Sequence, residues 1–307
     1  MRTVDRLSDL QRGRPAVLTI GAFDGVHLGH QWLIQSVIER ARMIEAISVV
    51  VTFDPRPQVA LQPGALQLTD GPSKARFIEA LCPDVLVSLK FDTELAGQPA
   101  DAFLATILEH VNLREIWVGA DFAFGHERTG NVAYLQLQGQ HAGFTVNVVS
   151  RQERGGRPVS SSLIRRLVSD GRVSSAANYL GHYPGFAGPV VTGFGRGSGL
   201  GYPTANVEPP RAQQLPATGI YAGFLGFKGE HLPAAISVGY NPVFQGTSLV
   251  VEGHVLDWDG DLTNTIVWLE FVERLRDELN FPSVDDLVVQ MDRDVDEARA
   301  ILVTRLD

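Results

Sequence analysis

Residues 16–30, AVLTIGAFDGVHLGH, decide the fold of the first half of the chain. The apolar run 16–20 is typical of a short buried strand. Beyond the loop, apolar side chains recur at helical spacing at Leu33, Ile34, Val37, Ile38 and Ala41. Glycines let a backbone approach a ligand closely, and a helix N-terminus presents unpaired N–H groups to an anion. The stretch therefore predicts a strand, a phosphate-binding loop and a helix in direct succession.

Two histidines, His27 and His30, lie three positions apart in this loop and can face one anion. Their imidazoles can donate hydrogen bonds to a phosphate whose charge grows during displacement, so no nucleophilic side chain is needed. The alternatives are two structural histidines or a metal site. Structural zinc takes four ligands, and no further His or Cys stands at a suitable spacing. The pattern favours phosphate contact.

Strand-like and helical stretches alternate through the first half of the chain. Further strands are predicted at 48–53, 85–89, 115–118 and 145–149, with amphipathic helices at 77–81 and 103–108. Such alternation predicts an α/β domain in which helices cover both faces of a parallel sheet. Ligands of these sheets bind at the carboxyl ends of the strands.

The pattern changes in the second half. After two predicted helices at 163–169 and 173–180, the segment GHYPGFAGP (181–189) breaks the periodicity, and the domain boundary is predicted between 183 and 184. Apolar runs joined by turns follow at 189–192, 220–227, 234–238, 249–256 and 265–271. They predict an antiparallel barrel or sandwich. Val295, Ala298, Ile301 and Leu302 form the apolar face of a terminal helix expected to dock on it.

Composition indicates two globular domains, with 307 residues of which 44% are hydrophobic. The lone Cys82 excludes an internal disulfide, which favours a reducing compartment. The net charge is 26 − 35 = −9, and residues 188–307 hold 8 basic against 17 acidic side chains, which argues against nucleic-acid binding. No apolar run reaches the roughly 18 residues of a membrane helix. A cytoplasmic protein is expected, whose oligomeric state the sequence does not report.

Three more segments match one family in the same order: TFDPRP (52–57), VGADFAFGHERTGN (118–131) and VSSSLIRRLVSDGRVSSAANYLG (159–181). With GAFDGVHLGH they resemble the bifunctional riboflavin kinase and FAD synthetase family. The resemblance implies that residues 1–183 form a Rossmann-like nucleotidyltransferase domain with FMN adenylyltransferase activity. There FMN phosphate attacks the α-phosphorus of ATP beside His27 and His30 and releases pyrophosphate.

The resemblance also implies a set of ATP-binding residues in this domain. They are Gly21, Phe23, Asp24, Gly25, His27, His30, Asp121, Ser161, Ser162 and Arg165. Hydroxyls at a helix start reach a phosphate, and arginine offers two parallel donors. A helix cap is the alternative role for residues 160–162, and a turn is the alternative for Asp121. Arg56 stands where the family commonly has histidine, which leaves the contacts of that loop open.

The segment GFGRGSGLGYPTAN (193–206) resembles the riboflavin kinase signature, with Tyr202 where phenylalanine is usual. Its glycines alone are equally consistent with turns. The resemblance implies ATP binding by Gly193, Arg196, Gly197, Gly201, Thr204 and Asn206, with Thr204 and Asn206 also holding Mg²⁺. A second departure is Val243, within VGYNPVFQG (238–246), where threonine is usual.

Glu252, within VVEGHVLDWDGDL (250–262), matches the catalytic glutamate of that family. It is expected to accept the proton of the ribityl hydroxyl, although the strand alone favours a solvated carboxylate on its outer face. Asp257, Asp259 and Asp261 are interpreted as turn and surface residues. Arg276 is assigned either to flavin binding or to an ion pair on a helix surface.

The resemblance therefore predicts a bifunctional enzyme of flavin cofactor biosynthesis. It implies that residues 184–307 phosphorylate riboflavin to FMN and that the first domain adenylates FMN to FAD, with ATP and Mg²⁺ in both steps. Riboflavin, FMN and ATP are the expected small-molecule partners. One alternative is a single-activity nucleotidyltransferase for another phosphorylated small molecule, against which the kinase signature argues. The other is a non-catalytic flavin-binding or regulatory protein, although the residues assigned to chemistry are all present.

Overall fold

The computed structural model describes residues 1–10, 12–192, 199, 201–240 and 249–305. The chain divides into two compact units, Met1–Ser161 and Ser162–Asp307, which are treated separately below. The expected residues Gly193, Arg196, Gly197 and Val243 lie outside the described residues. The predicted domains 1–183 and 184–307 place the boundary about twenty residues later, and they stay a prediction.

The first unit alternates strands and helices. Its strands are β1 Arg2–Val4, β2 Pro15–Ile20, β3 Ile47–Asp54, β4 Val85–Lys90, β5 Asn112–Gly119, β6 Ala123–Phe124, β7 Gly130–Asn131, β8 Thr145–Val149, β9 Glu153–Arg154 and β10 Arg157–Pro158. Its helices are α1 Leu28–Met43, α2 Pro57–Leu61, α3 Gly71–Glu79, α4 Thr93–Gly97, α5 Ala100–His110 and α6 Val132–Ala142.

Six of these strands form one parallel sheet in the order β1-β4-β3-β2-β5-β8. The central strands are buried on both faces, because Val49, Val50 and Val51 of β3 point alternately into two apolar clusters. The prediction of a covered parallel sheet is confirmed, and β1 is an additional edge strand. The carboxyl ends of β2, β3, β4 and β5 carry the loops that build the first site.

The second unit is a barrel with helices. Its helices are α7 Ser161–Ser169, whose first residue closes the first unit, α8 Val173–Leu180 and α9 Val284–Val303. Its strands are β11 Gly185–Val191, β12 Ala205–Val207, β13 Gly219–Phe227, β14 Glu230–Tyr240, β15 Leu249–Val255 and β16 Ile266–Arg276. The strands close antiparallel in the order β11-β12-β15-β14-β13-β16, so the barrel alternative of the prediction is confirmed.

The terminal helix docks on the barrel through the face that its sequence predicts. Ala298 and Leu302 of α9 are fully buried beside Ala222 and Phe224 of β13. Burial of such side chains stabilises the folded state by roughly 25 cal/mol per Å² of apolar surface. This is the main contribution that keeps the helix in place.

Candidate active sites

The loop between β2 and α1 has an unusual backbone that buried side chains hold in place. Phe23, Gly25 and Val26 have positive φ angles of 45°, 81° and 39°. The left-handed region is unfavourable for Phe and Val, and it persists where surrounding structure determines it. Both side chains are almost fully buried against the first turns of α1 and the sheet. The strain therefore lies at the predicted phosphate loop.

Asp24, at the centre of this loop, is buried, and its hydrogen bonds connect the loop to a neighbouring segment. Its carboxylate accepts hydrogen bonds from the backbone N–H groups of Leu68 at 2.7 Å and Thr69 at 3.4 Å. The N–H of Gly25 donates to the Thr69 hydroxyl at 3.1 Å. These bonds fix the loop to the segment before α3. A contact of Asp24 or Gly25 with ATP stays a prediction.

The two predicted histidines are stacked. Their ring centroids are 3.5 Å apart and the ring planes differ by 15°. His27 is the N-cap of α1, because its Nδ1 accepts the backbone N–H of His30 at 3.3 Å. A neutral His27 with this bond carries its proton on Nε2.

Burial lowers the pKa of His30 well below its usual value, and the neighbouring His27 and Lys74 lower it further. The Nδ1 of His30 is itself buried and has no hydrogen-bond partner among the described residues. At neutral pH His30 therefore presents a neutral imidazole, which is a hydrogen-bond donor without a fixed charge.

Ser161 is joined to the same loop, because its hydroxyl donates to the backbone carbonyl of Asp24 at 2.9 Å. Ser162 and Arg165 belong to the second unit, where the Arg165 guanidinium donates to the Ser162 hydroxyl at 3.2 Å. Asp121 forms an exposed ion pair with Arg151. ATP binding by these residues stays a prediction.

An aromatic cavity of about 480 Å³ opens beside residues 21–27, the loop between β2 and α1 that is called the histidine loop below, and was not predicted from the sequence. Gly21 and Ala22 line it, together with the aromatic rings of Phe53, Phe91, Phe103, Phe122 and Phe124. The first two rings meet edge to face at 5.6 Å, and Phe122 stacks on Phe124 at 5.5 Å. The sequence feature that could have indicated it is a phenylalanine at or shortly after the carboxyl ends of β3, β4 and β5. Such a cavity suits a flat aromatic ligand.

In the barrel, pairing of β12 with β15 brings the expected kinase residues together. Asn206 is the register partner of Glu252, and the Thr204 hydroxyl donates to the Glu252 carboxylate at 3.3 Å. Thr204 and Asn206 line a pocket of about 290 Å³, which Trp258 and Asp261 also border. The barrel therefore brings a hydroxyl, an amide and a carboxylate side chain together on one part of its wall.

Two further residues of the second unit contact α9. The hydroxyl of Tyr202 donates to Asp292 of α9, and this hydrogen bond raises the pKa of Tyr202 to about 12. The preceding residue, Gly201, has a φ of 89°. Arg276 forms a two-pronged ion pair with the buried Asp294, at 2.8 and 2.6 Å. An ion pair was one of the two roles expected for Arg276, but Arg276 lies on strand β16 and not on a helix surface, and its partner is buried. Flavin contact stays a prediction.

The acidic turn after β15 has structural contacts. Asp257 pairs with Arg299 of α9 at 3.1 Å, and the Asp261 carboxylate accepts the N–H of Thr263 at 2.8 Å. Among the described residues, no group of three or more His, Cys, Asp or Glu side chains is arranged to hold a metal ion. Nor does any helix of the described part of the chain have the length and apolar character needed to cross a membrane.

Comparisons with known proteins match both halves of the chain. A family model described as FAD synthetase matches residues 9–163, and one described as riboflavin kinase matches residues 180–302. The chain is similar to the bifunctional riboflavin kinase/FMN adenylyltransferases of Haemophilus influenzae and Escherichia coli. Identity is 34% to each, over 92% of this chain and 93% or 91% of theirs. The enzyme of that name from Listeria monocytogenes is 30% identical over 97% of this chain and 95% of its own.

A solved structure, described as a macrolide-efflux protein from Streptococcus pneumoniae, has the same fold. It is 30% identical, with a TM-score of 0.86, and the match covers 97% of this chain and 98% of the other. Its description is a statement about that protein. The likeness supports the architecture given above.

Proposed function

Because the chain belongs to the bifunctional riboflavin kinase/FMN adenylyltransferase family, we propose that it phosphorylates riboflavin to FMN and then adenylates FMN to FAD. ATP is consumed in both steps. One observation carries the assignment: each matched half contains its own pocket next to residues expected to do its chemistry. Gly21 and Ala22, which precede His27 in the same loop and His30 in α1, line the first pocket. Thr204 and Asn206 line the second beside Glu252.

In adenylyl transfer, an FMN phosphate oxygen forms a bond to the α-phosphorus of ATP while the bond to pyrophosphate breaks. We assign to His27 and His30 the donation of hydrogen bonds to the α-phosphate as its charge grows. A neutral His30 fits this task because it needs no deprotonation and still carries one N–H donor. The strained loop holds both histidines in place before substrate arrives, which lowers the reorganisation needed in the reaction.

The flavin of FMN occupies the aromatic cavity in this proposal. Its ring system is flat and largely apolar, and the cavity offers phenylalanine faces and edges within a volume of about 480 Å³. Gly21 and Ala22 belong to both the cavity wall and the histidine loop. An FMN seated there therefore has its phosphate end directed along the loop.

In the kinase step, the ribityl hydroxyl oxygen bonds to the γ-phosphorus of ATP, and ADP leaves. Glu252 accepts the hydroxyl proton in this proposal. The Thr204 hydroxyl, which donates to its carboxylate at 3.3 Å, holds that carboxylate beside Thr204, and Thr204 itself lines the pocket. Glu252 is therefore oriented before substrate binds.

The donor set beside Glu252 fits Mg²⁺, which prefers hard oxygen ligands and usually completes its shell with water and substrate phosphates. Thr204 would supply a hydroxyl oxygen and Asn206 an amide oxygen. When bound, the ion neutralises phosphate charge during transfer. The small number of protein ligands agrees with a metal that arrives with the nucleotide.

We also propose a cytoplasmic enzyme that acts on small molecules and does not bind nucleic acid. The lone cysteine, which is exposed and unpaired, supports a reducing compartment. The excess of acidic residues after residue 187 supports the second part of the proposal.

A chromatographic time course of the purified chain with ATP and Mg²⁺ tests the proposal, with riboflavin as the starting flavin in one series and FMN in the other. FMN is expected to appear before FAD in the first series, and FAD to form directly in the second. Adenylation without phosphorylation would instead support a single-activity nucleotidyltransferase. Flavin binding without turnover would support a binding protein.

A further inference from the structure

One fully buried charge beside the first site has no role in the mechanism above. Lys74, in the first turn of α3, is 2% exposed. Burial of an ammonium group is strongly unfavourable unless partners compensate for the lost water. The partners of Lys74 therefore indicate what the charge is for.

Its Nζ donates to two backbone carbonyls, that of Phe53 at 2.5 Å and that of Ala22 at 3.2 Å. Ala22 belongs to the histidine loop, and Phe53 is at the end of β3. Both residues line the aromatic cavity. The ammonium thus joins the loop expected to receive ATP to the wall expected to receive the flavin.

The surroundings of Lys74 are crowded with charge from every element packed against it. Asp24 comes from the histidine loop, Asp54 from the end of β3 and Asp70 from the N-cap of α3, and Arg56 precedes α2. The fifth group is His30 of α1. Three carboxylates so close to the loop produce a negative potential that opposes a triphosphate. Lys74 and Arg56 are the cations that offset it.

We propose that Lys74 is a positioning residue for adenylyl transfer, which fixes the Ala22 and Phe53 carbonyls and neutralises the carboxylates behind the phosphate loop. The inference rests on the proposed function and adds a group that acts through the loop without touching substrate. Loss of the cation leaves two buried carbonyls without a charged donor and an excess of two negative charges. The geometry of the loop is then disturbed, and its affinity for ATP falls.

The protonation of Lys74 gives this role a pH dependence. Burial lowers the pKa of Lys74 to about 8, against the opposing effect of the nearby carboxylates. The ammonium is therefore present below pH 8 and is lost as the pH rises through that value. Adenylyl transfer is expected to decline on the alkaline side with an apparent pKa near 8.

The test uses the full chain and measures kcat and the KM for ATP in FMN adenylation from pH 6.5 to 9.5. The variants are Lys74→Met, Lys74→Arg and, as control, Lys90→Met, which removes a lysine that is 83% exposed at the end of β4. Riboflavin phosphorylation in the same samples reports on the intact barrel. We expect Lys74→Met to lose about 10²-fold in kcat/KM at pH 7, as misplacement by an ångström does, with phosphorylation unchanged.

The arginine variant separates positioning from simple structural support. Arginine keeps its charge at every pH of the series, so the alkaline decline of the wild type is expected to vanish in Lys74→Arg even if its overall rate is lower. Lys90→Met is expected to match the wild type throughout.

Three results would overturn the inference: a wild-type rate that is flat to pH 9.5, a Lys74→Met variant within threefold of wild type, or an alkaline decline that persists in Lys74→Arg. If Lys74→Met fails to fold, the other two comparisons still decide. A wild-type chain that does not adenylate FMN at all would contradict the proposed function itself, and the Lys74 inference with it.

Discussion

Single buried polar side chains organise the loop of the first site. Asp24 illustrates this, since its carboxylate satisfies two backbone N–H groups of the segment before α3 and lies 3.6 Å from the guanidinium of Arg56. Arg56 also donates to the Leu66 carbonyl at 2.6 Å. Arg56, the residue that departs from the family pattern, therefore takes part in the contacts that hold this loop. These contacts explain how the loop accommodates an arginine.

Substitution Asp24→Ala is expected to destabilise the first unit by about 1–3 kcal/mol, because it leaves buried N–H groups without an acceptor. Thermal unfolding monitored by circular dichroism measures the loss. Asp5→Ala, at an exposed aspartate of the same unit, is the matched control and should leave the transition unchanged. Equal unfolding transitions for Asp24→Ala and the wild type would show that the hydrogen bonds of Asp24 do not contribute to stability.

His30 predicts a pH dependence of stability with a defined sign. Its pKa in the folded chain is well below 6.5, so between the two values the unfolded chain binds more protons. The stability linked to His30 is therefore complete above pH 6.5 and lost as the pH falls. The melting temperature of the wild type should fall more steeply below pH 6.5 than that of His30→Gln. The exposed His141→Gln should behave like the wild type, and parallel curves for all three would contradict the assignment.

At the scale of elements, α9 is attached to the barrel by an apolar face and by one buried ion pair. The side chains of Arg276 and Asp294 are 18% and 6% exposed, and Gln290 donates to the same carboxylate at 2.9 Å. Breaking a buried pair by removing one partner costs more than the pair itself contributes, because the remaining charge stays buried.

Substitution Asp294→Ala is therefore expected to cost about 3–5 kcal/mol and to lower the melting temperature of the second unit. Asp296→Ala, two residues along α9 at a side chain 78% exposed, is the control and should change stability by less than about 1 kcal/mol. Similar losses in both variants would contradict the assignment of the loss to the buried pair.

The elements that the sequence predicts are those with strong apolar periodicity. The five long parallel strands and five of the six barrel strands follow from apolar runs such as residues 49–51, whose side chains are fully buried. Both β1 and β12 were missed because three residues give no detectable period. For α3 the pattern predicts only 77–81, because the apolar side chains at helical spacing begin at Phe77, and the missing first turn carries Lys74.

The candidate site was predictable where one local motif holds the chemistry, as with His27 and His30. It was not predictable where side chains from several strands meet. The aromatic cavity draws Phe53, Phe91 and Phe122 from the ends of three different strands. Only the order and direction of the strands in the folded sheet bring them together.

For the whole molecule, we expect one chain to carry two chemistries on separate sets of residues. The two family models meet this expectation by matching residues 9–163 and 180–302 without overlap. Each compact unit has apolar clusters of its own, so damage at one site leaves the core of the other intact.

The most direct test is a crossed experiment in which His30→Ala and Glu252→Gln are each assayed with riboflavin and with FMN as the starting flavin. His30→Ala is expected to form FMN from riboflavin and to stop there. Glu252→Gln is expected to leave riboflavin unchanged and yet convert supplied FMN to FAD. Loss of both conversions in both folded variants would contradict the assignment of the two activities to independent sites.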